Sequence, residues 1–318
     1  AHLKSIAGPP PPRKSIAEEA MAEKEGIPLV EAVPVPVPYQ PMAPVAPSQS
    51  HGFLATMDGL FVRQQLEVLE LISGCETKNR YNVVPIPTGT QIPAPGTFSS
   101  AFTSQLRAQA STMPLLKGKE DSECCERVCC PLYRGLKLPF VDGAGQTFLT
   151  LERPCICDPC YAPPAWACRG QMLVTKNAAG EELSTVRMQP GCCTAGCCAG
   201  WYHVTDPQGQ KMYSLRVSDC HTHSGTCSNC CAPTCCNESY DIDVYDGEGK
   251  YVNTSAFVWP GCNCGGLTDL SNMALVFPPS SSAEQRASIL GAFMLIEFTA
   301  QELKRNNNNG GGGGGGGG

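Results

Sequence analysis

The sequence predicts a mainly β protein whose antiparallel strands form a closed or nearly closed sheet. The middle of the chain contains four turn signals of one type, at residues 142–145, 177–180, 206–209 and 246–249. Segments in which apolar and polar residues alternate flank each of them. Asp or Asn opens such a turn by bonding to its own backbone two residues on, and Gly closes it with a positive φ. Each signal therefore predicts a β-hairpin, and a spacing of roughly 30 to 40 residues leaves room for two or three strands per signal.

Two low-complexity flanks surround this region. Residues 1–50 are rich in proline and include the Val-Pro alternation of residues 33–38. Because proline lacks an amide donor and has a fixed φ, we expect a disordered arm that favours polyproline II, either as a solvated tail or as a ligand for Pro-recognising protein modules. Residues 306–318 contain only Asn and Gly, whose side chains cannot offset the entropy of ordering. We expect a disordered tail there.

The segment between the flanks is long enough, at roughly 255 residues, to bury a core without disulfides. The first residues show no apolar run of signal-peptide length, so we expect a cytoplasmic chain whose 21 cysteines lie in a reducing compartment. A net charge of −6 provides no broad basic surface, and no nucleic-acid partner is expected.

The cysteines follow a repeated pattern. The spacing Cys-Cys-x3-Cys-Cys occurs three times, at residues 124–130, 192–198 and 230–236, and a fourth group spans residues 155–168. Surface cysteines beside a membrane could carry acyl chains, and several chains would give the stable anchoring that one cannot. A disulfide-rich shell is the alternative for an extracytoplasmic chain.

A zinc site is a further interpretation of the cysteines. Cys227 and Cys230 have the Cys-x2-Cys spacing of tetrahedral sites, and Cys220, His221 and His223 lie close by in the sequence. Adjacent cysteine pairs are, however, not the usual ligand spacing of such sites. A zinc-binding Cys-rich module therefore remains a minor alternative.

The C-terminal region predicts a buried helix. Ser282 and Gln285 form a capping box, and residues 287–298 are apolar almost all the way round. Twelve helical residues cover about 18 Å, well short of a hydrocarbon core of about 30 Å, and Glu297 would be costly in lipid. We therefore expect the helix to lie inside the sheet. Its predicted core residues are Ile289, Leu290, Phe293, Met294, Leu295 and Ile296.

Catalytic chemistry has little support in the sequence. The chain has five histidines, and no Gly-rich phosphate loop follows a predicted strand. No arrangement of nucleophile and base stands out, so we do not expect an enzyme.

Three segments resemble the phospholipid scramblase family. Residues 57–81 are similar to the opening block of that family, and residues 149–154 and 267–278 follow in the family's order. The resemblance implies a twelve-stranded antiparallel barrel, similar to the tubby C-terminal domain, closed around a central apolar C-terminal helix within residues 51–305. Residues 85–120 look like an insertion between the first and second barrel segments, and because Pro and Gly bracket a polar stretch, we interpret them as a surface loop that could include a short helix over Ala101–Ala110. The resemblance further implies a cytoplasmic Pro-rich arm, palmitoylated cysteines and calcium-activated movement of lipids.

The chain departs from the family where calcium and acyl chains would bind. Asp269 stands at the first carboxylate position, but Ser271 and Ser280 occupy positions where acidic ligands are expected. Calcium prefers six to eight oxygen ligands, so Asp269 is at most a weak calcium ligand. Where the family has a nearly unbroken run of cysteines after the Glu-Arg-Pro strand end, other residues separate the cysteines of this chain. This leaves three lipidation candidates, Cys155, Cys157 and Cys160.

Two functions are consistent with these observations. The first is a membrane-associated phospholipid scramblase-like protein that moves or binds phospholipids at the cytoplasmic leaflet, held there by acylated cysteines, with weakened or lost calcium dependence. The second is a non-transporting scaffold that uses the barrel and the Pro-rich arm to bind proteins, because a fold alone does not fix a function.

Overall fold

The computed structural model describes residues 52–65, 78–123, 134–155, 171–189, 200–218, 222–223, 229–261 and 271–301. Within these residues, twelve antiparallel strands close into a barrel in the order β1-β12-β11-β10-β9-β8-β7-β6-β5-β4-β3-β2. This confirms the predicted fold class. The strands are β1 (Met57–Gln65), β2 (Arg80–Pro87), β3 (Leu116–Lys119), β4 (Leu136–Val141), β5 (Thr147–Arg153), β6 (Met172–Asn177), β7 (Glu182–Met188), β8 (Gly200–Thr205), β9 (Lys211–Val217), β10 (Ser239–Asp246), β11 (Tyr251–Val258) and β12 (Asn272–Val276).

The four predicted turns are present and share one geometry. In the first, Asp142 Oδ1 accepts hydrogen bonds from the amides of Ala144 and Gln146, both at 2.9 Å, and Gly145 has a φ of 77°. The strand register shifts next to each turn, between Phe140 and Val141 in this case. The glycines that close the other three turns also have positive φ; they are Gly180, Gly209 and Gly249. The hairpins therefore follow from local turn chemistry.

The C-terminal helix lies inside the barrel. Helix α2 (Ala283–Ile296) begins at the predicted capping box, where Ser282 Oγ accepts a 3.2 Å bond from the Gln285 amide. It continues into a π-helical turn (Glu297–Gln301). The six residues predicted for its core face are fully buried and belong to the main hydrophobic cluster: Ile289, Leu290, Phe293, Met294, Leu295 and Ile296.

Consecutive antiparallel strands place alternate connections at opposite ends of the barrel. The four Asp/Asn-Gly turns join β4–β5, β6–β7, β8–β9 and β10–β11, and we call their end the turn end. The connections β1–β2, β3–β4, β5–β6, β7–β8, β9–β10 and β11–β12 leave and re-enter the sheet at the other end, which we call the cysteine end.

Helix α2 enters at the turn end and finishes at the cysteine end. Arg286 near its start donates hydrogen bonds to the carbonyls of Leu54 and Met57, at 2.5 and 2.7 Å. Thr299 beyond its end lies 2.7 Å from the hydroxyl of Tyr202, the third residue of β8. The helix therefore passes through the barrel.

The segment 85–120, predicted as a surface loop, requires a correction. Its first residues belong to β2, and its last include β3, which pairs with β2 and β4. Helix α1 (Ser100–Thr112) lies between them on the outside of the barrel. Phe98, Phe102 and Leu106 pack there in a second hydrophobic cluster, whose strand residues are Phe61, Val84, Ile86, Ala256, Val258, Ala274 and Val276. The segment therefore completes the barrel and covers apolar outer positions.

Candidate functional site

The interior of the barrel is filled by side chains. Phe293 is fully buried, with its ring centroid 6.4 Å from that of Phe257 on β11. At Gly291 an added Cβ would lie 2.2 Å from Thr175 Oγ1 on β6, so glycine is needed where the helix approaches the strand. Because side chains fill the interior, a functional site is expected on the outer surface or at one of the two ends of the barrel.

Cys155 lies at the cysteine end, two residues beyond the end of β5. Its thiol is free and exposed. The sequence predicts lipidation at Cys155, Cys157 and Cys160, and the last two lie outside the described residues. The structure therefore provides one accessible nucleophilic sulfur at the predicted position.

A cavity of about 500 Å³ opens beside Cys155, between the strand ends of β4, β5 and β6. Its lining includes Lys137, Glu152, Arg153 and Met172. Glu152 accepts a 2.6 Å hydrogen bond from Lys176, and this bond lowers the pKa of its carboxyl. The cavity thus combines two basic residues, three carboxylates (Asp121, Glu123 and Glu152) and apolar surface, and Lys137 and Lys176 both pair with Glu152.

Four more exposed thiols lie at the same end, in the β9–β10 connection. Cys230 and Cys231 place their sulfurs 3.8 Å apart, and those of Cys235 and Cys236 are 3.9 Å apart. Sequence analysis identified the repeated Cys-Cys-x3-Cys-Cys spacing of these four cysteines, but it named lipidation candidates only among the cysteines that follow β5.

Sequence alternation along β10 predicts that Asp241, Asp243 and Asp246 form an acidic edge facing water, and this prediction is wrong for Asp241 and Asp243. Asp241 and Asp243 are only 1% and 2% exposed. Two distant segments fold over them: the Gly96 amide donates to Asp241 Oδ2 at 2.5 Å, and the His223 amide donates to Asp243 Oδ2 at 2.6 Å. Burial raises the pKa of both carboxyls.

An aromatic cluster lies next to Asp243 on the outer face of β8, β10 and β11. His223 stacks on Tyr251 with ring centroids 3.8 Å apart, and Tyr245 lies 6.0 Å from Tyr251. Trp201 lies 5.3 Å from Tyr245. The rings are partly or fully exposed, so this cluster is available for contact with a partner or a membrane interface.

The predicted calcium segment does not form one loop. Asp269 lies outside the described residues, and β12 separates Ser271 from Ser280. A five-residue strand spans about 17 Å, so these serines lie at opposite ends of the barrel. The Ser271 hydroxyl donates to the buried Glu297 carboxylate, 2.7 and 2.8 Å from its two oxygens. Ser271 therefore holds the end of the central helix.

The predicted zinc ligands His223 and Cys230 are among the described residues. Cys220, His221 and Cys227 lie outside the described residues, while His223 stacks on Tyr251. Among the residues that the structure describes, no group of three or more His, Cys, Asp or Glu side chains is arranged to hold a metal ion.

None of the helices in the described part of the chain combines the length and the apolar character needed to span a bilayer.

Comparison with known proteins gives one family. The Scramblase family matches residues 105–302, which is more than half of the chain. Phospholipid scramblase 2 of Bos taurus is 27% identical over 276 residues, covering 86% of this chain and 78% of the relative. Phospholipid scramblase 1 of Homo sapiens is 25% identical over 268 residues, covering 84% and 70%.

A third relative extends the match further along both chains. Phospholipid scramblase family member 5 of Homo sapiens is 21% identical over 296 residues, covering 92% of this chain and 90% of the relative. No solved structure matches the chain. The family match takes in the barrel from helix α1 to the end of the central helix, and on this evidence the chain belongs to the scramblase family.

Proposed function

We propose that this protein is a phospholipid scramblase-like protein that moves or binds phospholipids at the cytoplasmic leaflet. The observation that carries the proposal is family membership across the barrel, together with relatives named phospholipid scramblases. The role requires no covalent chemistry on the lipid. We therefore propose translocation or binding without catalysis.

Membrane attachment is proposed to be peripheral, through palmitate on Cys155, Cys157 and Cys160. The exposed thiol of Cys155 supports this, because the acceptor sulfur must reach the acyl donor.

Calcium is proposed to have little influence on the activity. The hydroxyl of Ser271 is engaged by Glu297, and Ser280 lies at the other end of β12. Asp269 alone would provide one carboxylate, whereas calcium affinity depends on several charged ligands.

A scaffold function is the second candidate. It is favoured by the aromatic cluster of Trp201, Tyr245, Tyr251 and His223, since aromatic-lined surfaces bind Pro-rich segments. In this case the barrel and the Pro-rich arm bind proteins, and lipids are not moved.

A lipid-exchange assay separates the two functions. Full-length protein purified from eukaryotic cells is reconstituted into liposomes carrying fluorescent phospholipid in both leaflets, and dithionite reports the lipid that reaches the outer leaflet. We expect protein-dependent exchange whose rate is the same in calcium and in chelator. Protein-free liposomes are the control. A flat trace from folded protein would contradict transport and favour the scaffold, and a strong calcium response would contradict weak calcium dependence.

Acyl attachment predicts release of the protein by hydroxylamine at neutral pH. Thioester cleavage should move the chain from the membrane fraction to the supernatant, because the acyl chains supply the anchoring. The variant Cys155→Ser/Cys157→Ser/Cys160→Ser should lower the membrane-bound fraction before treatment. Unchanged partitioning of both the treated protein and the variant would contradict acyl anchoring.

A further inference from the structure

The two ends of the barrel differ sharply in composition. Every one of the 21 cysteines in the sequence falls in one of the six connections of the cysteine end. The turn end has none.

Tryptophan follows the same division. Trp201 is the second residue of β8 and Trp259 directly follows β11, so both lie at the cysteine end, where they are half-buried. Trp166, the third tryptophan of the sequence, falls in the β5–β6 connection and lies outside the described residues. Tryptophan is favoured at the boundary between lipid and water. The composition therefore favours membrane contact at the cysteine end.

The loop that carries Cys230, Cys231, Cys235 and Cys236 is held in place by its own polar side chains. Asn229 is buried; it donates 2.8 Å bonds to the carbonyls of Ser218 and Asp241 and accepts a 2.7 Å bond from the Asp241 amide. Asn237 donates a 2.9 Å bond to the Cys230 carbonyl. The loop is thus anchored to β10 while its four thiols remain exposed.

We propose that Cys230, Cys231, Cys235 and Cys236 form an acyl-acceptor site that holds the cysteine end of the barrel against the membrane. This inference rests on the proposed function at a membrane and adds residues beyond the predicted cysteines of the β5–β6 connection. The ligand class is a long-chain fatty acyl group in thioester linkage.

The modification is a simple acyl transfer. A cysteine thiolate attacks the carbonyl carbon of an acyl-coenzyme A, the new thioester bond forms, and the bond between that carbon and the coenzyme sulfur breaks. The coenzyme leaves as a thiol after taking up the proton that the cysteine lost. No oxidant or reductant is needed.

The two thiols of each pair interact with each other. The neighbouring Cys230 raises the pKa of the Cys231 thiol, and Cys235 raises that of Cys236. The thiolate fractions of Cys231 and Cys236 are therefore lowered.

The site lies away from Cys155 around the barrel. Strands β5 and β9 are separated by four strand spacings, or about 20 Å along the sheet. Stable anchoring requires more than one acyl chain, and two separated anchors also restrain the tilt of the barrel. With the cysteine end held against the membrane in this way, Trp201 and Trp259 lie at the interface between lipid and water.

The test counts thioesters on the full chain expressed in eukaryotic cells. Free thiols are blocked, thioesters are cleaved with hydroxylamine, and each released thiol receives a polyethylene glycol maleimide that shifts the band on a gel. We expect Cys230→Ser/Cys231→Ser/Cys235→Ser/Cys236→Ser to lose at least one tag per molecule relative to the wild type. An unchanged number of tags would overturn the proposal. So would zinc that is present in the wild type, purified under reducing conditions, and absent from the variant.

Two controls keep this test independent of folding and of lipid transport. The variant Cys155→Ser/Cys157→Ser/Cys160→Ser should retain the tags of the β9–β10 loop, even if the lipid-exchange assay is flat. The thermal midpoint of the quadruple variant should match that of the wild type, since the replaced thiols are exposed. If it does not, Cys230→Ser/Cys235→Ser replaces it in the same count.

Orientation has its own readout. Brominated lipids in vesicles should quench the tryptophan emission of the acylated wild type, because Trp201 and Trp259 lie at the cysteine end. In Gln208→Trp, a tryptophan added in the β8–β9 turn should contribute emission that is not quenched. Quenching of the added tryptophan, or none of the native ones, would overturn the proposed orientation.

Discussion

Replacing Phe293 with alanine is expected to lower the free energy of unfolding by about 3 to 5 kcal/mol. Phe293 is fully buried on the central helix, where it contacts the strand side of the barrel through Phe257. Truncation would remove buried apolar surface and leave a cavity. The strands of a closed barrel cannot easily move inward to fill that cavity. Denaturant unfolding followed by circular dichroism measures the loss.

The matched control for this change is Met113→Ala. Met113 directly follows helix α1 and is 56% exposed, so its truncation creates no cavity. We expect its unfolding midpoint to equal that of the wild type. A Phe293→Ala midpoint that also stays at the wild-type value would show that the helix does not stabilise the barrel from within.

The second large effect is expected from the buried ion pair of Glu120 and Arg134. Both side chains are fully buried, and Arg134 Nε lies 3.0 Å from Glu120 Oε1. Glu120 also accepts bonds from Asn79 at 2.6 Å and Ser122 at 2.7 Å. Glu120→Gln removes the carboxylate charge from this buried pair, and we expect a loss of about 3 to 5 kcal/mol in the free energy of unfolding.

The neighbouring pair of Asp121 and Lys78 provides the control. Their contact is also short, at 2.8 Å, but the side chain of Asp121 is 76% exposed. Water screens such a pair, so Asp121→Asn should leave the unfolding midpoint unchanged. Equal midpoints for Glu120→Gln and Asp121→Asn would contradict the importance of burial.

The same ion pair gives the stability a defined pH dependence. Burial alone would raise the pKa of Glu120, but the charge of Arg134 and the hydrogen bonds from Arg134, Ser122 and Asn79 outweigh it and lower the pKa. The contribution of Glu120 is complete above the unfolded-state value of about 4.3 and is lost as the pH falls through the lower folded-state pKa. Glu120→Gln should remove this part of the acid-induced loss.

Features determined by local chemistry could be predicted from the sequence. Asp142 and Gly145 determine a turn by themselves, and Ser282 with Gln285 determines a helix start. The apolar character of residues 287–298, interrupted by Glu297, indicated a helix buried in protein. These inferences needed no knowledge of distant contacts.

Features that depend on distant segments could not be predicted. Asp241 is buried because Gly96, 145 positions away, bonds to it, so the alternation of β10 alone indicated the wrong environment. Strand β3 has only four residues, too few to show a pattern, and its Gly118 is required by the ring of Phe140. In the candidate site, the exposure of Cys230 depends on how Asn229 anchors its loop.

Closure of the sheet has a consequence for how other molecules can recognise this protein. Each described strand pairs with a neighbour on both sides, so the described sheet has no edge strand. Partners that bind by extending a sheet at an edge strand therefore find none on the described barrel. Specificity for a partner must therefore come from the side chains on the outside of the barrel. These side chains can change in sequence without altering the backbone pairing of the strands.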